Sequence, residues 1–211
     1  MKKVTKKLLS LILAIVFLFS FATIAYADEV QPCITFVASL QVISAPISGS
    51  IGSAGISGHS FIVVKNTSNS TITVGHMPVS AGDSVTVGTF GNRNAHKGIW
   101  YNIEGYSKPK GASYGLQTGL TLNDLNTINT VINNNDNWTL TNNCSIFAKK
   151  VWNAVYPSKA LTGTDPLTLS NSIKSKEYWI ADPAVPSKTK DKIARHTSTG
   201  YVYDTSGATH S

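Results

Sequence analysis

The apolar residues change their period part-way along the chain, and this restricts the fold more than any other feature. In the first half they come in short, β-branched runs: "CITFVASLQVI" from Cys33, "HSFIVVK" from His59, "TITVGHM" from Thr71, "DSVTVGTF" from Asp83 and "GIWYNIE" from Gly98. Runs of this kind, bounded by Gly, Asn, Asp and Ser, read as strands. "HSFIVVK" and "TITVGHM", joined by the turn-forming "NTSNS", read as a hairpin. "SGSIGSAGISG" from Ser48 and "GNRNAHKG" from Gly91 read as loops. After Leu120 the period lengthens. Leu122, Leu125, Ile128 and Ile132 share one helical face, and Thr121 with Asp124 has the form of a capping box. Phe147, Val151 and Val155, with Ala148 and Trp152 beside them, make a second stripe that Pro157 ends. "DPLTLSNSIKSK" reads as one more short helix with Pro166 near its first turn. Strands first and helices after predict an α+β fold, an antiparallel sheet packed against a few helices. No internal repeat is present.

The first 27 residues stand apart. A lysine-rich start, an apolar stretch from Leu8 to about Ile24 and small residues at Ala25 and Ala27 have the form of a secretory signal, with the mature chain beginning at Asp28. The alternative is an uncleaved anchor, but the apolar run is borderline for the ~20 residues a spanning helix needs. Export predicts a secreted or wall-associated protein that meets the membrane only through this signal. Removing 27 of 211 residues leaves 184, enough for one domain with its own core. Residues 28–186 are expected to form that domain. Residues 187–211 read as a polar, loosely packed tail, to which "GYVYD" could add a strand.

Charge excludes one class of partner. Lys2, Lys3, Lys6 and Lys7 account for four of the 18 basic residues, so the mature chain carries 14 basic against 11 acidic groups, or +3. With no basic patch interleaved with aromatics, nucleic-acid binding has no support. A weak positive bias suits an anionic wall.

The chain has two cysteines, Cys33 and Cys144. Export makes a Cys33–Cys144 disulfide the default alternative. Cys144, however, sits in "NNCSIFAKKVW", at the start of the second helical stripe, with Asn142 or Asn143 as the cap. The first amides of a helix are unpaired, and the helix dipole favours negative charge there, so both lower a thiol pKa. The same amides can hold an oxyanion. Cys33 reads as a small apolar strand residue.

A thiolate needs a base, and the mature chain has five histidines: His59, His76, His96, His196 and His210. His59 opens a strand directly after a glycine, where its ring can reach from a sheet edge toward a helix mouth. His76, at the end of the next strand of the expected hairpin, is the candidate to orient it, with His96 as competitor. His196 and His210 fall in the tail. The Cys and His positions lack the close spacings of a zinc site and no Gly-rich phosphate loop is present, so neither metal nor cofactor is expected. Trp100, Tyr101, Tyr106 and Tyr114 read as core or as a wall of the cleft; Tyr114, between glycines in "GASYGLQTG", is the cleft candidate.

"GHSFIVV" and "TVGHM" followed later by "NNCSIFAKKVW" resemble the NlpC-type cell-wall peptidases of the papain-like superfamily. There the cysteine helix ordinarily precedes the histidine strand. The inverted order here resembles the circularly permuted branch, which includes relatives of lecithin:retinol acyltransferase. The resemblance runs from about Gly58 to Val155. It implies a permuted papain-like fold, Cys144 as nucleophile, His59 as base, His76 as the third polar residue, and amide bonds of peptidoglycan stem peptides as substrate. Asn143 departs from the pattern, standing where many members have aspartate. The rivals are a thiol acyltransferase or lipid-directed hydrolase, and a non-catalytic secreted binding module with the disulfide formed.

Overall fold

The computed structural model describes residues 34–47 and 58–208. The signal-like segment, Cys33 and most of the Gly/Ser-rich loop lie outside the described residues. From Thr35 onward the chain forms one compact unit.

The β-branched runs become strands β1 (Ala38–Ala45), β2 (His59–Asn66), β3 (Ile72–Val74), β4 (Met77–Val79), β5 (Ser84–Phe90), β6 (Gly98–Tyr101) and β7 (Tyr114–Leu120). A one-turn helix α1 (Ile103–Tyr106) follows β6. Then come α2 (Leu122–Asn133), α3 (Cys144–Val155), α4 (Pro166–Lys174) and the short strands β8 (Ile180–Ala181), β9 (Ala194–Thr197) and β10 (Gly200–Tyr203). Eight strands form an antiparallel sheet in the order β10-β9-β6-β5-β2-β1-β7-β8. The α+β expectation therefore holds: a large antiparallel sheet with few helices.

Side-chain alternation sorts the sheet into two faces. Leu40, Val42, Ile62, Val64, Val85, Val87 and Leu116 point to one face, where they build the main core with Leu125, Ile128, Phe147, Val151 and Trp152 of α2 and α3. Helix α3 lies over β1, β2 and β5, and α4 over β1 and β7. Burying a side chain of this size stabilises by about 1.5–3 kcal/mol, so this layer dominates the fold. On the other face Ile43, Phe61 and Val63 pack against Val185, and Trp100 packs with Ile103 of α1 and Ile193.

The helix signals are realised locally. Thr121 Oγ1 accepts from Asp124 N and Asp124 Oδ2 accepts from Thr121 N, closing the expected capping box of α2. Leu122 is the exception to its stripe: it precedes the first buried turn and is 59 % exposed. Asp165 caps α4.

Two expectations are corrected. β2 does not form a hairpin with the run that follows it. It pairs with β1 and β5, while β3 and β4 form a separate two-stranded sheet. Gly75, at φ 59°, allows the tight turn after β3, and the Asn66 side chain ties down the connection by donating to Ser70 O and Val79 O. The polar tail is also part of the domain. β9 pairs with β6, and Ile193, Ala194 and His196 are buried. Residues 187–208 thus extend the sheet and cover part of its second face.

Candidate active site

Asn143 sets the start of α3. Its Oδ1 accepts from Ser145 N at 3.0 Å and Ile146 N at 3.1 Å, and its carbonyl accepts from Phe147 N. Its Nδ2 donates to Leu140 O and Thr164 O. An aspartate could cap the helix equally well but has no hydrogens for those two carbonyls, which explains asparagine at this position. The bonds to Asn143 use the amides of Ser145, Ile146 and Phe147. The Cys144 amide, the remaining N–H of the first turn, stays at the helix mouth, where a developing oxyanion would bind.

Cys144 is a free thiol and is only 4 % exposed. Its proposed disulfide partner, Cys33, lies outside the described residues. His59, at the first position of β2, is close enough to the sulfur for each group to shift the other's pKa through hydrogen bonding and charge. The other side of the imidazole meets a carboxylate: Nε2 lies 2.9 Å from Glu104 Oε1. That leaves Nδ1 for the thiol. Glu104 is buried in α1, and its second oxygen accepts from Thr86 Oγ1 at 2.6 Å. The ring is held sideways by Phe61 (5.8 Å between centroids) and Phe90 (4.5 Å). His59 is the accessible member of the set, with 21 % of its side chain exposed against 2 % for Glu104.

The electrostatics follow from this sandwich. Burial alone would lower the His59 pKa. The hydrogen bonds and negative charges of Cys144 and Glu104 outweigh burial and raise it from 6.5 to about 10. Burial alone would raise the Cys144 pKa. The hydrogen bond and charge of His59, with the Ser60 amide, bring it below its ordinary value instead. The Ser145 hydroxyl acts on the sulfur in the same, lowering direction. The arrangement therefore favours a thiolate–imidazolium pair, the form in which a cysteine attacks a carbonyl.

His76 does not take the orienting position. It sits in the β3–β4 turn, where its Nδ1 faces Thr197 O at 3.2 Å and Gly200 O at 3.1 Å and its ring stacks on His196 at 4.7 Å. The tight turn after β3 carries it away from β2. His96 belongs to the same separate cluster: its Nε2 lies 2.7 Å from Asp136 Oδ1, while His196 Nδ1 lies 3.0 Å from Asp136 Oδ2. Asp136 also accepts from Ile99 N and is held at about 2: burial would raise it, and these three hydrogen bonds overcome that. The cluster pins the loop that leads into Cys144. Trp100 and Tyr101 are core residues, and Tyr114 starts β7 with Lys174 over its ring.

Glu104 is the residue that the sequence reading missed. Its signal was present: one of only three glutamates, it lies in the apolar "IWYNIEGY". A carboxylate in such a context is buried only with partners. The strand expected through "GIWYNIE" breaks at Asn102, whose left-handed φ of 66° turns the chain into α1 and brings Glu104 back over β5.

Gly88 makes room for the pair. A Cβ there would collide with Glu104 Oε1 and lie 2.9 Å from His59 Nε2. Gly88→Ala is expected to reduce activity at least about tenfold, while costing about 1–3 kcal/mol as an overpacking change. Thermal melting alongside turnover separates the two effects, and unchanged turnover would contradict the geometry.

No protein-family model matches the chain, and neither a curated protein nor a solved structure matches it.

Proposed function

We propose that this chain is a secreted thiol hydrolase with a permuted papain-like fold, which cleaves an amide bond through Cys144, His59 and Glu104. The observation that carries the reading is the placement of His59 between a cysteine at a helix mouth and a buried carboxylate. The resemblance of the Gly-His strand and the Cys-Ser-x-Phe helix start to NlpC-type peptidases, with the signal-like N-terminus, supports peptidoglycan stem peptides as the substrate.

The Cys144 thiolate attacks the carbonyl carbon, forming a C–S bond while the oxygen takes up negative charge beside the Cys144 amide. The C–N bond breaks as His59 imidazolium gives its proton to the leaving amine. Acylation removes the sulfur's charge and its hydrogen bond, two of the interactions that hold the His59 proton. Neutral His59 then takes a proton from water, whose oxygen attacks the thioester and releases the acid. Glu104 keeps the ring oriented throughout and offsets its positive charge. General acid–base help of this kind is worth about 10²–10⁴-fold.

An acyl-lipid substrate is the second reading. Leu140 and Leu167 favour it, each more than half exposed on a segment bonded to the site: Leu140 O to Asn143, and Pro166 O to Ser44. The test is incubation of the mature protein with muropeptides and with N-acyl lipids, with Cys144→Ala as control. New amine termini from muropeptides are expected, absent with Cys144→Ala. Release of fatty acid alone would establish the second reading, and no cysteine-dependent product from either would overturn the hydrolase.

A further inference from the structure

Tyr178 and Trp179, between α4 and β8, are 86 % and 41 % exposed. Side chains this large normally bury most of their surface, so two neighbours held out in water need a cause. The backbone holds them there. Tyr178 has φ 60° and Asp182 has φ 45°, so residues other than glycine adopt the left-handed conformation on both sides of β8. That conformation is costly for a bulky residue and recurs at functional sites. Asp182 ties the segment to the start of β7: its amide donates to Ser113 O and its Oδ1 accepts from Ser113 N, each at 2.8 Å. Trp179 rests against the Tyr114 ring, with centroids 5.8 Å apart. The rings are thus fixed before any ligand arrives. Charged groups border them. Lys174 Nζ lies 4.6 Å from the centre of the Tyr114 ring, Lys159 Nζ lies 5.5 Å from that of Tyr178, and Glu177 Oε2 lies 3.6 Å from Lys159 Nζ.

Flat aromatic faces bordered by donors and an acceptor match a sugar ring, which has C–H faces to stack and hydroxyls at its edge to hydrogen-bond. An acyl chain laid here would desolvate the same charges and pair none of them. The patch also lies at the same end of the sheet as the candidate active site. Ser44 of β1 pairs with Ser60 of β2 on one side and with Tyr114 of β7 on the other. Tyr114 is therefore two strand spacings, about 10 Å, from the neighbour of His59. Helix α4 spans the gap a second time. Pro166 O at its start accepts from Ser44 Oγ, and Lys174 at its end, about 12 Å further on, covers Tyr114. About three or four residues of extended peptide bridge such a distance. We propose that Tyr178 and Trp179, backed by Tyr114, form a saccharide-binding subsite that holds the glycan of a glycopeptide polymer while its peptide reaches Cys144, an assignment that rests on the hydrolase reading for the peptide half of the substrate.

The test is co-sedimentation of the mature protein with insoluble peptidoglycan, in a Cys144→Ala background so that nothing is cut. Tyr178→Ala and Trp179→Ala are compared with that parent, soluble N-acetylglucosamine hexamer is the competitor, and phosphatidylglycerol vesicles are the control surface. The parent should sediment with the polymer and be released by excess hexamer. Either aromatic variant should bind about fivefold more weakly or worse, as expected for truncating an aromatic anchor. Variants retained like the parent, or a parent that the polymer does not retain, would overturn the proposal. Retention that the hexamer leaves untouched would mean that peptide or charge is recognised, and Tyr178-dependent binding to vesicles alone would mean a membrane surface; both overturn it as well. Near-ultraviolet circular dichroism verifies folding. If Trp179→Ala does not fold, Tyr178→Ala decides, since that side chain is almost wholly in solvent. The thiol takes no part in this assay. Failure of the hydrolase reading would appear instead as the absence of any cysteine-dependent product, with the binding result left standing.

Discussion

Replacing Glu104 by alanine is expected to remove most turnover and to destabilise the protein, whereas glutamine should lower turnover with a smaller loss of stability. Glu104 is buried, and each of its oxygens has one partner, His59 Nε2 and Thr86 Oγ1. Removing one partner of a buried charged pair costs about 3–5 kcal/mol, less what His59 recovers by giving up its proton. Glutamine retains an oxygen for the Nε2 hydrogen but not the charge. Its effect on the His59 titration therefore isolates the electrostatic part. The sign follows from linkage. The His59 pKa is raised in the folded state, so its stabilising contribution is complete below pH 6.5 and is lost as pH rises through about 10. Cys144 is depressed, so its contribution is present above pH 9.0 and is lost as pH falls through its folded value. In Glu104→Gln the alkaline loss should begin at lower pH. Titration of His59 by nuclear magnetic resonance and melting across this range check it. A His59 titration identical to the parent's would mean that the carboxylate is not its charge partner.

Replacing His59 by alanine is expected to cost about 10²–10⁴ in turnover. The sulfur loses the hydrogen bond and the positive charge that oppose burial, and only the smaller effects of the Ser60 amide and the Ser145 hydroxyl remain to compete with desolvation. The thiol should then be protonated at neutral pH. Glu104 is left buried without its charged partner, which costs about 3–5 kcal/mol of stability, while Phe61 and Phe90 still wall the space the ring vacates. Added imidazole is accordingly expected to restore part of the turnover. A variant as active as the parent would remove His59 from the mechanism.

The contrast between Cys144 and His76 explains what the sequence made legible. A helix start is a local event. The Asn143 cap and the stripe of Phe147, Ala148, Val151 and Trp152 lie within ten residues, and the polar-to-apolar change at Cys144 marks them. His59 was legible for the same reason, as the first residue of a β-branched run. The third group was not, because its position depends on pairing between distant strands. His76 was placed beside β2 by a hairpin assumption, but the tight turn after β3 made the shorter pairing with β4 available. Glu104 is reached only through a left-handed turn at Asn102, a position where residue type alone does not demand one. The tail reads as polar because its apolar residues are few and scattered; Ile193 is buried against Trp100 and Ile103 only once Ala194 and Arg195 pair with β6.

The central claim is that Cys144 rests as a thiolate paired with His59 imidazolium. The most direct measurement is the rate of Cys144 alkylation by iodoacetamide against pH, on the folded Cys33→Ser protein and on the same protein with His59→Ala. The predicted result is a thiol that reacts well below its ordinary pKa of 9.0, with the His59 change abolishing that low-pH reactivity. A Cys144 that reacts only as an ordinary thiol, with or without His59, would contradict the pair and with it the hydrolase.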